Sequence, residues 1–338
     1  MTEQAITPIR WGILGTGKIA HKFAHDVTVG VPDAIVQAVG SRTQASADAF
    51  GDEFAIPNRH GSYEDLANDP EVDAIYVSTP HPWHHDATIL SLRGGKAVLC
   101  EKAFAMNARE AREMVAVAQE ENRFLMEAMW LRFRPAMVKL RALIAEGAIG
   151  EVVNVHATIS WAAAKDHTSR LFAKELGGGA LLDATIYPIS FAFNILGTPT
   201  SVTGVATIGE TGVDEQEAIA FGYASGAVAS IIASFYAPAQ NMAIVTGTKG
   251  RLEIAARFWE ARTLTFIPND GREPEVFDFP EHDTTGYQYE AIAVGEAIRQ
   301  GEIEHPLMPH AETIAIMETI DQLRAQWGVT YDADQQGV

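Results

Sequence analysis

The chain has 338 residues, 47% of them hydrophobic and 9% aromatic, which is enough for two domains with separate cores. Asp and Glu outnumber Lys and Arg by 44 to 25, and the formal charge of -19 speaks against nucleic acid or an anionic membrane surface as partner. A single cysteine, Cys100, excludes an internal disulfide and leaves too few thiolates for a structural zinc site.

Met1 to Arg10 is polar, with neither a twin-arginine pair nor an apolar secretory run, so cytoplasmic residence is expected. A strand near 9–15 then runs into Gly15-Thr16-Gly17-Lys18-Ile19-Ala20, a G-x-G-x-x-A pattern at a strand-to-helix turn. Gly15 allows the tight turn, Gly17 lets backbone approach a pyrophosphate, and Ala20 is small enough for close helix-strand packing. Further strands are expected near 34–41, 73–79, 97–101 and 123–128, separated by helical patterns. That alternation predicts a doubly wound parallel sheet.

The strand 34–39 leads into Gly40-Ser41-Arg42-Thr43, where an NAD-selective fold would carry a carboxylate for the ribose hydroxyls. Ser41 and Arg42 suit a 2'-phosphate instead, so NADP is expected over NAD. Beyond Ser78-Thr79-Pro80 come His81, His84 and His85, which lack a convincing metal-ligand spacing; no metal is expected. Thr79, His81 and His84 are expected along the cofactor, with His84 near the nicotinamide ribose. The apolar stretch 180–196 is interrupted by Asp183, Pro188 and Asn194, so no membrane span is expected.

From about Gly150 the pattern changes to strand-length runs joined by Gly-containing turns, predicting a large, mostly antiparallel open sheet. In the run 227–235, Val228 and Ile232 share one weakly apolar face, and Ala229, Ile231 and Ala233 the other. One face is therefore expected against a second subunit. The expected division is a dinucleotide-binding domain over 1–128 and a substrate-binding and dimerisation domain of α+β type over 129–338. The last helix, about 309–326, is expected to pack back on the first domain.

The run Gly95 to Ala103 contains Glu101-Lys102-Ala103, and with Thr79-Pro80, His84, Met126 to Phe133, Gly178 to Asp183, Tyr187 and Pro309 to Glu312 it resembles the glucose-fructose oxidoreductase and inositol dehydrogenase family. The similarity spans nearly the whole chain. It is greatest to the branch containing dimeric trans-dihydrodiol dehydrogenase and NADP-dependent D-xylose dehydrogenase. The resemblance implies a Rossmann domain, a homodimer, and hydride transfer between NADP and a sugar, an aldose such as D-xylose, or a cyclic diol. Trans-dihydrodiol oxidation and ketose or ketone reduction remain open, as does a dinucleotide-sensing protein without catalysis. Ala103 departs from the family's Pro, and His305-Pro306 from a common Ser-Pro.

On this reading Lys102, Tyr187 and Asp183 are the catalytic candidates, Glu101 and Lys102 also border the cofactor, and Trp130, Arg132, Arg170 and Tyr287 are pocket candidates. Bringing a phenol from a pKa of about 10 toward neutrality costs about 3 to 4 kcal/mol. One ammonium at about 4 Å supplies on the order of 4 kcal/mol at an effective dielectric of about 20. A Lys-Tyr pair is thus energetically sufficient. Asp183, four residues before Tyr187, is expected on the same helix face, with Pro188 kinking the helix.

Overall fold

The computed structural model describes residues 7–281 and 283–335. Met1 to Ile6 of the polar N-terminal stretch lie outside the described residues. The chain begins β1 (Ile9–Leu14), α1 (Lys18–Gly30), β2 (Ala34–Gly40), α2 (Gln44–Phe54), β3 (Asn58–His60), α3 (Tyr63–Ala67) and β4 (Ala74–Val77). There follow α4 (His84–Arg93), β5 (Ala97–Glu101), α5 (Ala108–Glu120), β6 (Leu125–Ala128), α6 (Pro135–Ala145) and β7 (Val152–Ser160). Next come α7 (Ile186–Leu196), β8 (Ser201–Ile208), β9 (Asp214–Gly222), β10 (Val228–Ser234), β11 (Ala243–Gly247) and β12 (Gly250–Ile254). The chain closes with β13 (Thr263–Pro268), β14 (Glu275–Asp278), α8 (Gln288–Gln300) and α9 (His310–Trp327).

Two compact units result. The first comprises residues 1–105, 109–130 and 281–310; the second comprises 106–108, 131–280 and 311–338. The expected division at 128/129 is corrected accordingly: the segment with α8 returns to the first unit, and α9 beyond His310 belongs to the second.

In the first unit six parallel strands lie in the order β3-β2-β1-β4-β5-β6. The order reverses between β1 and β4, so ligands are expected at the carboxyl ends of those two strands. Short β-branched and aromatic runs, buried on both faces, build this sheet as a parallel sheet requires. Trp11 meets Phe23 edge-on at 5.2 Å, and Phe23 stacks on Tyr76 at 3.8 Å, fixing α1 against the sheet. The strand β3 was not expected: Asn58-Arg59-His60 carries no apolar signal, and its pairing with β2 is what makes it a strand.

In the second unit eight strands lie in the order β14-β13-β12-β11-β7-β10-β9-β8, antiparallel except for the β7–β10 pair. Alternation decides its two faces. Ala229, Ile231 and Ala233 are buried, with α7 packed on β7 and β10, while Val228 and Ile232 are exposed on the opposite face. One segment, Lys174–Leu196, is long and apolar enough to cross a membrane, contrary to the expectation for 180–196, but 78% of its window is buried within the protein. It forms the core of this unit.

Candidate active site

The turn after β1 has the features a dinucleotide phosphate needs. Gly15 adopts φ +101°, which strains any side chain, and a Cβ there would lie a tight 3.1 Å from Ser78 Oγ. Gly17 has an ordinary φ of -78° and caps α1 with no side-chain acceptor, and a Cβ on it would meet nothing within 4 Å. The protein's own packing therefore does not require glycine at 17, and the bare backbone there is open to close approach by a ligand. Lys18 lies exposed on this turn, Thr16 and Ile19 half-buried, and Ala20 is packed against the sheet.

At the end of β2, Ser41 is buried, Arg42 is exposed, and Thr43 accepts from Ser46 N at 3.3 Å to cap α2. The Arg42 charge acts on the phenol of Tyr63, which burial raises above its ordinary range. At the end of β4 the buried Thr79 Oγ1 has no hydrogen-bond partner. An orphaned hydroxyl, an open glycine and an uncapped helix start fit a bound dinucleotide.

His81 and His84 meet edge-on, ring centroids 5.6 Å apart. His84 is buried with Nδ1 2.8 Å from Ala103 O and Nε2 2.8 Å from Thr79 O. Both ring nitrogens are thus turned onto backbone, and the imidazole bridges the β4 end and the β5 end. Burial, with Lys102 adding to it, holds the imidazole below its ordinary range despite the two carbonyls. The Lys102–Ala103 peptide is cis. Glu101 accepts from Tyr76 Oη and, at 3.1 Å, from Lys102 N, which anchors the backbone carrying the Lys102 side chain.

Trp130 stacks on Tyr287. Tyr287 is held by a residue absent from the sequence reading: the buried Asp26 of α1 accepts from Thr285 N, Thr285 Oγ1, Gly286 N and Tyr287 N, each at 2.9 Å. A carboxylate on the face of α1 that buries Phe23 and Val27 was the available signal. Glu290 stands likewise on the buried face of α8.

Lys102 belongs to the first unit and the other two catalytic candidates to the second. Asp183 lies in a π-turn, Leu181–Thr185, that runs directly into α7, where Tyr187 is the second residue. Ile186 N reaches back to Leu181 O, the five-residue spacing of a π-turn. The wider turn accommodates Pro188, which has no N–H for the carbonyl of Ala184, so the expected kink appears as a bulge one turn earlier. Asp183 is buried and ion-paired with Arg170, whose side chain is otherwise largely exposed. Arg132, expected in the pocket, is turned inward: 1% exposed, it donates to Ser190 Oγ and Ser190 O at 2.9 Å and pairs with Glu312 at 2.5 Å.

Comparison with known proteins explains this combination. Residues 9–129 match the NAD-binding Rossmann-fold domain of the GFO/IDH/MocA oxidoreductases, and residues 137–253 match the GFO/IDH/MocA C-terminal domain. Trans-1,2-dihydrobenzene-1,2-diol dehydrogenase of Xenopus tropicalis is 38% identical over 333 residues, covering 95% of this chain and 99% of that protein. The chain belongs to the GFO/IDH/MocA family. The mouse protein of the same name is 38% identical over 335 residues, 97% of this chain and 99% of its own. Among solved structures, KijD10, a 3-ketoreductase of Actinomadura kijaniata in complex with NADP and TDP-benzene, matches with a TM-score of 0.82 and 27% identity, covering 94% of this chain and 98% of that one. The aldose-aldose oxidoreductase of Caulobacter crescentus shares the fold, with a TM-score of 0.84 and 23% identity over 93% of this chain and 96% of its own. This GFO/IDH/MocA member, of the dihydrodiol dehydrogenase branch, is a nicotinamide-dependent dehydrogenase acting on CH–OH groups.

Proposed function

We propose that the protein uses NADP to transfer a hydride to or from a secondary alcohol or hemiacetal carbon of a sugar, with aldose oxidation as the reaction and D-xylose as a test substrate. The observation that carries this reading is the buried Asp183, paired with Arg170 and one turn before Tyr187, in a chain that also carries a dinucleotide turn. Bound nicotinamide would supply the hydride chemistry. Gly15, Gly17 and the first turn of α1 would hold its pyrophosphate, Ser41 and Arg42 the 2'-phosphate, and Thr79 and His81 the strand-end side.

Tyr187 is the group we assign to proton exchange at the reacting oxygen, and Lys102 the ammonium that favours the anionic oxygen. Asp183 accepts from a second substrate hydroxyl, while Trp130 and Tyr287 form an apolar wall for the ring face of a sugar or diol. A second reading, oxidation of cyclic trans-diols, is favoured by the names of the relatives from Xenopus tropicalis and mouse. Purified protein assayed for NADPH formation against aldoses, polyols and cyclic trans-diols separates the two. Activity on none of them, or with NAD alone, removes the proposal.

We further propose a cytoplasmic homodimer joined through the sheet face on which Val205, Val228 and Ile232 are exposed. Light scattering that gives a monomer at micromolar concentration counts against it.

A further inference from the structure

The buried side of β9 carries three carboxyl groups that the proposed chemistry does not use. Alternation turns Glu215, Glu217, Ile219 and Phe221 inward, and the register shift opposite Thr207 and Ile208 leaves Asp214 buried as well. Glu215 has a cation, Lys165 Nζ at 3.7 Å, which sets it apart from Asp214 and Glu217. Asp214 Oδ2 accepts from Leu181 N at 2.6 Å, at the first residue of the π-turn. Its Oδ1 has no partner in hydrogen-bonding geometry, nor has either oxygen of Glu217, whose carboxyl feels both Asp214 and the Thr185 hydroxyl beside it. The groups facing this pair are Thr185 from the π-turn and Tyr331 from the C-terminal segment. Arg324 lies over the Tyr331 ring but is bound to Asp321 and Asp334. Among the described residues no cation pairs with Asp214 or Glu217. Two adjacent buried carboxylates cannot both be ionised on those terms, whereas one proton between them serves both.

The same pair sits against the glycine turn that precedes Asp183. Gly179 has φ +119°, and a Cβ there would lie 2.7 Å from Asp214 Oδ1. Tyr331 Oη donates to Gly178 O at 2.5 Å. The turn is therefore held at Gly178 and Leu181, and crowded at Gly179 by the carboxylate itself.

We infer that Glu217 is protonated, donates to Asp214 Oδ1, and through Asp214 positions the Gly178–Thr185 turn that presents Asp183. Glu217 is a positioning residue, and the last step rests on the role proposed for Asp183. Loss of the proton sets two anions side by side and turns Asp214 away from Leu181 N. Burial and the neighbouring Asp214 carboxylate both favour the protonated form of Glu217 and push its carboxyl well above the ordinary range.

The test compares the full-length protein with Glu217→Gln and Glu217→Ala by infrared spectroscopy, amide hydrogen exchange over 178–187, and turnover against pH with NADP and D-xylose or a cyclic trans-diol. An amide donates to Asp214 Oδ1 without a titratable proton. The Gln variant is expected to lose one protonated-carboxyl band, to keep wild-type exchange and turnover near neutrality, and to hold its activity further into the alkaline range. The Ala variant is expected to exchange faster across 178–187 and to lose about ten-fold or more in kcat at an unchanged KM for NADP. Absence of the band difference, or a Gln variant as impaired as the Ala variant, overturns the inference. Asp183→Asn serves as the separate control: wild-type turnover there defeats the site reading, while the band and the exchange still decide the carboxyl pair.

Discussion

Trp130 lies face to face on Tyr287, with ring centroids 4.6 Å apart and planes 19° from parallel. The backbone of Tyr287 is fixed in turn by Asp26, 261 residues earlier in the chain. Replacing Asp26 with Ala removes the carboxylate that accepts from the N–H groups of Thr285, Gly286 and Tyr287, of which Gly286 N keeps Gln288 Oε1 at 3.0 Å. A loss of at least about 3 kcal/mol is expected, since bonds to a buried charge and the donors they leave behind each count for more than a neutral pair. Denaturant unfolding measures it; a change below about 1 kcal/mol would show that the loop is held by other contacts.

Arg42→Ala tests the cofactor preference. A charge-assisted bond to a 2'-phosphate is worth about 1.5 to 3 kcal/mol, so NADP affinity should fall by about ten- to hundred-fold with NAD affinity almost unchanged. Calorimetric titration with both dinucleotides reads the difference directly. Equal losses for the two would show that Arg42 acts on the turn as a whole.

Tyr187→Phe keeps the ring and removes the hydroxyl. Turnover should drop by about 10²- to 10⁴-fold, the usual worth of a positioned acid or base, with NADP binding within about two-fold of wild type. Full activity in the Phe variant would transfer the proton step to another group.

The two arginines of the second unit should part company. Arg132 is buried on Glu312 and Ser190, so Arg132→Ala should cost about 2 to 4 kcal/mol of stability by removing a buried guanidinium and its charge-assisted bonds. Arg170 is mostly exposed but its partner Asp183 is buried, so Arg170→Ala should lower stability by less than Arg132→Ala does, about 1 to 2 kcal/mol, while raising the substrate KM. Thermal unfolding alongside steady-state kinetics separates them, and the opposite pattern would reverse their roles.

Glu290 gives a prediction in pH. It is buried with neither oxygen partnered, and burial, Glu101 and Asp26 together raise it well above the ordinary carboxylate range. The folded protein keeps a proton there that the unfolded chain releases above about pH 4.3. Stability from this position is therefore complete at acid pH and declines as pH rises toward the folded value. Glu290→Gln removes that decline, so its advantage over wild type should be larger at about pH 8 than at about pH 5. A constant difference across that range would mean the carboxyl is ionised in the fold.

Much of the first unit could be read in the sequence because its signals are local: β-branched runs of strand length, and glycines where only backbone fits. The strand β3 could not, since Asn58-Arg59-His60 becomes a strand through pairing with β2 alone. The return of 281–310 to the first unit was equally hidden. It depends on the Asp26 carboxylate finding donors about 260 residues away, a relation no periodicity encodes. At the candidate site, Asp183 and Tyr187 were legible as a four-residue spacing, but Pro188 was read as a kink rather than as the reason for a wider turn before it. Arg132 shows the limit of residue type as evidence: a guanidinium near a domain junction serves a ligand or a neighbour equally well, and burial alone decides.

The turn Leu181–Thr185 closes its ring with one residue more than a regular helix would use. A lineage that lost one residue there would regain an unbroken ladder and gain robustness, yet every group before the deletion would swing by about 100° relative to Tyr187. Selection for sturdiness alone would thus tend to erase this surplus residue, and its persistence among descendants would mark how strongly catalysis constrains them.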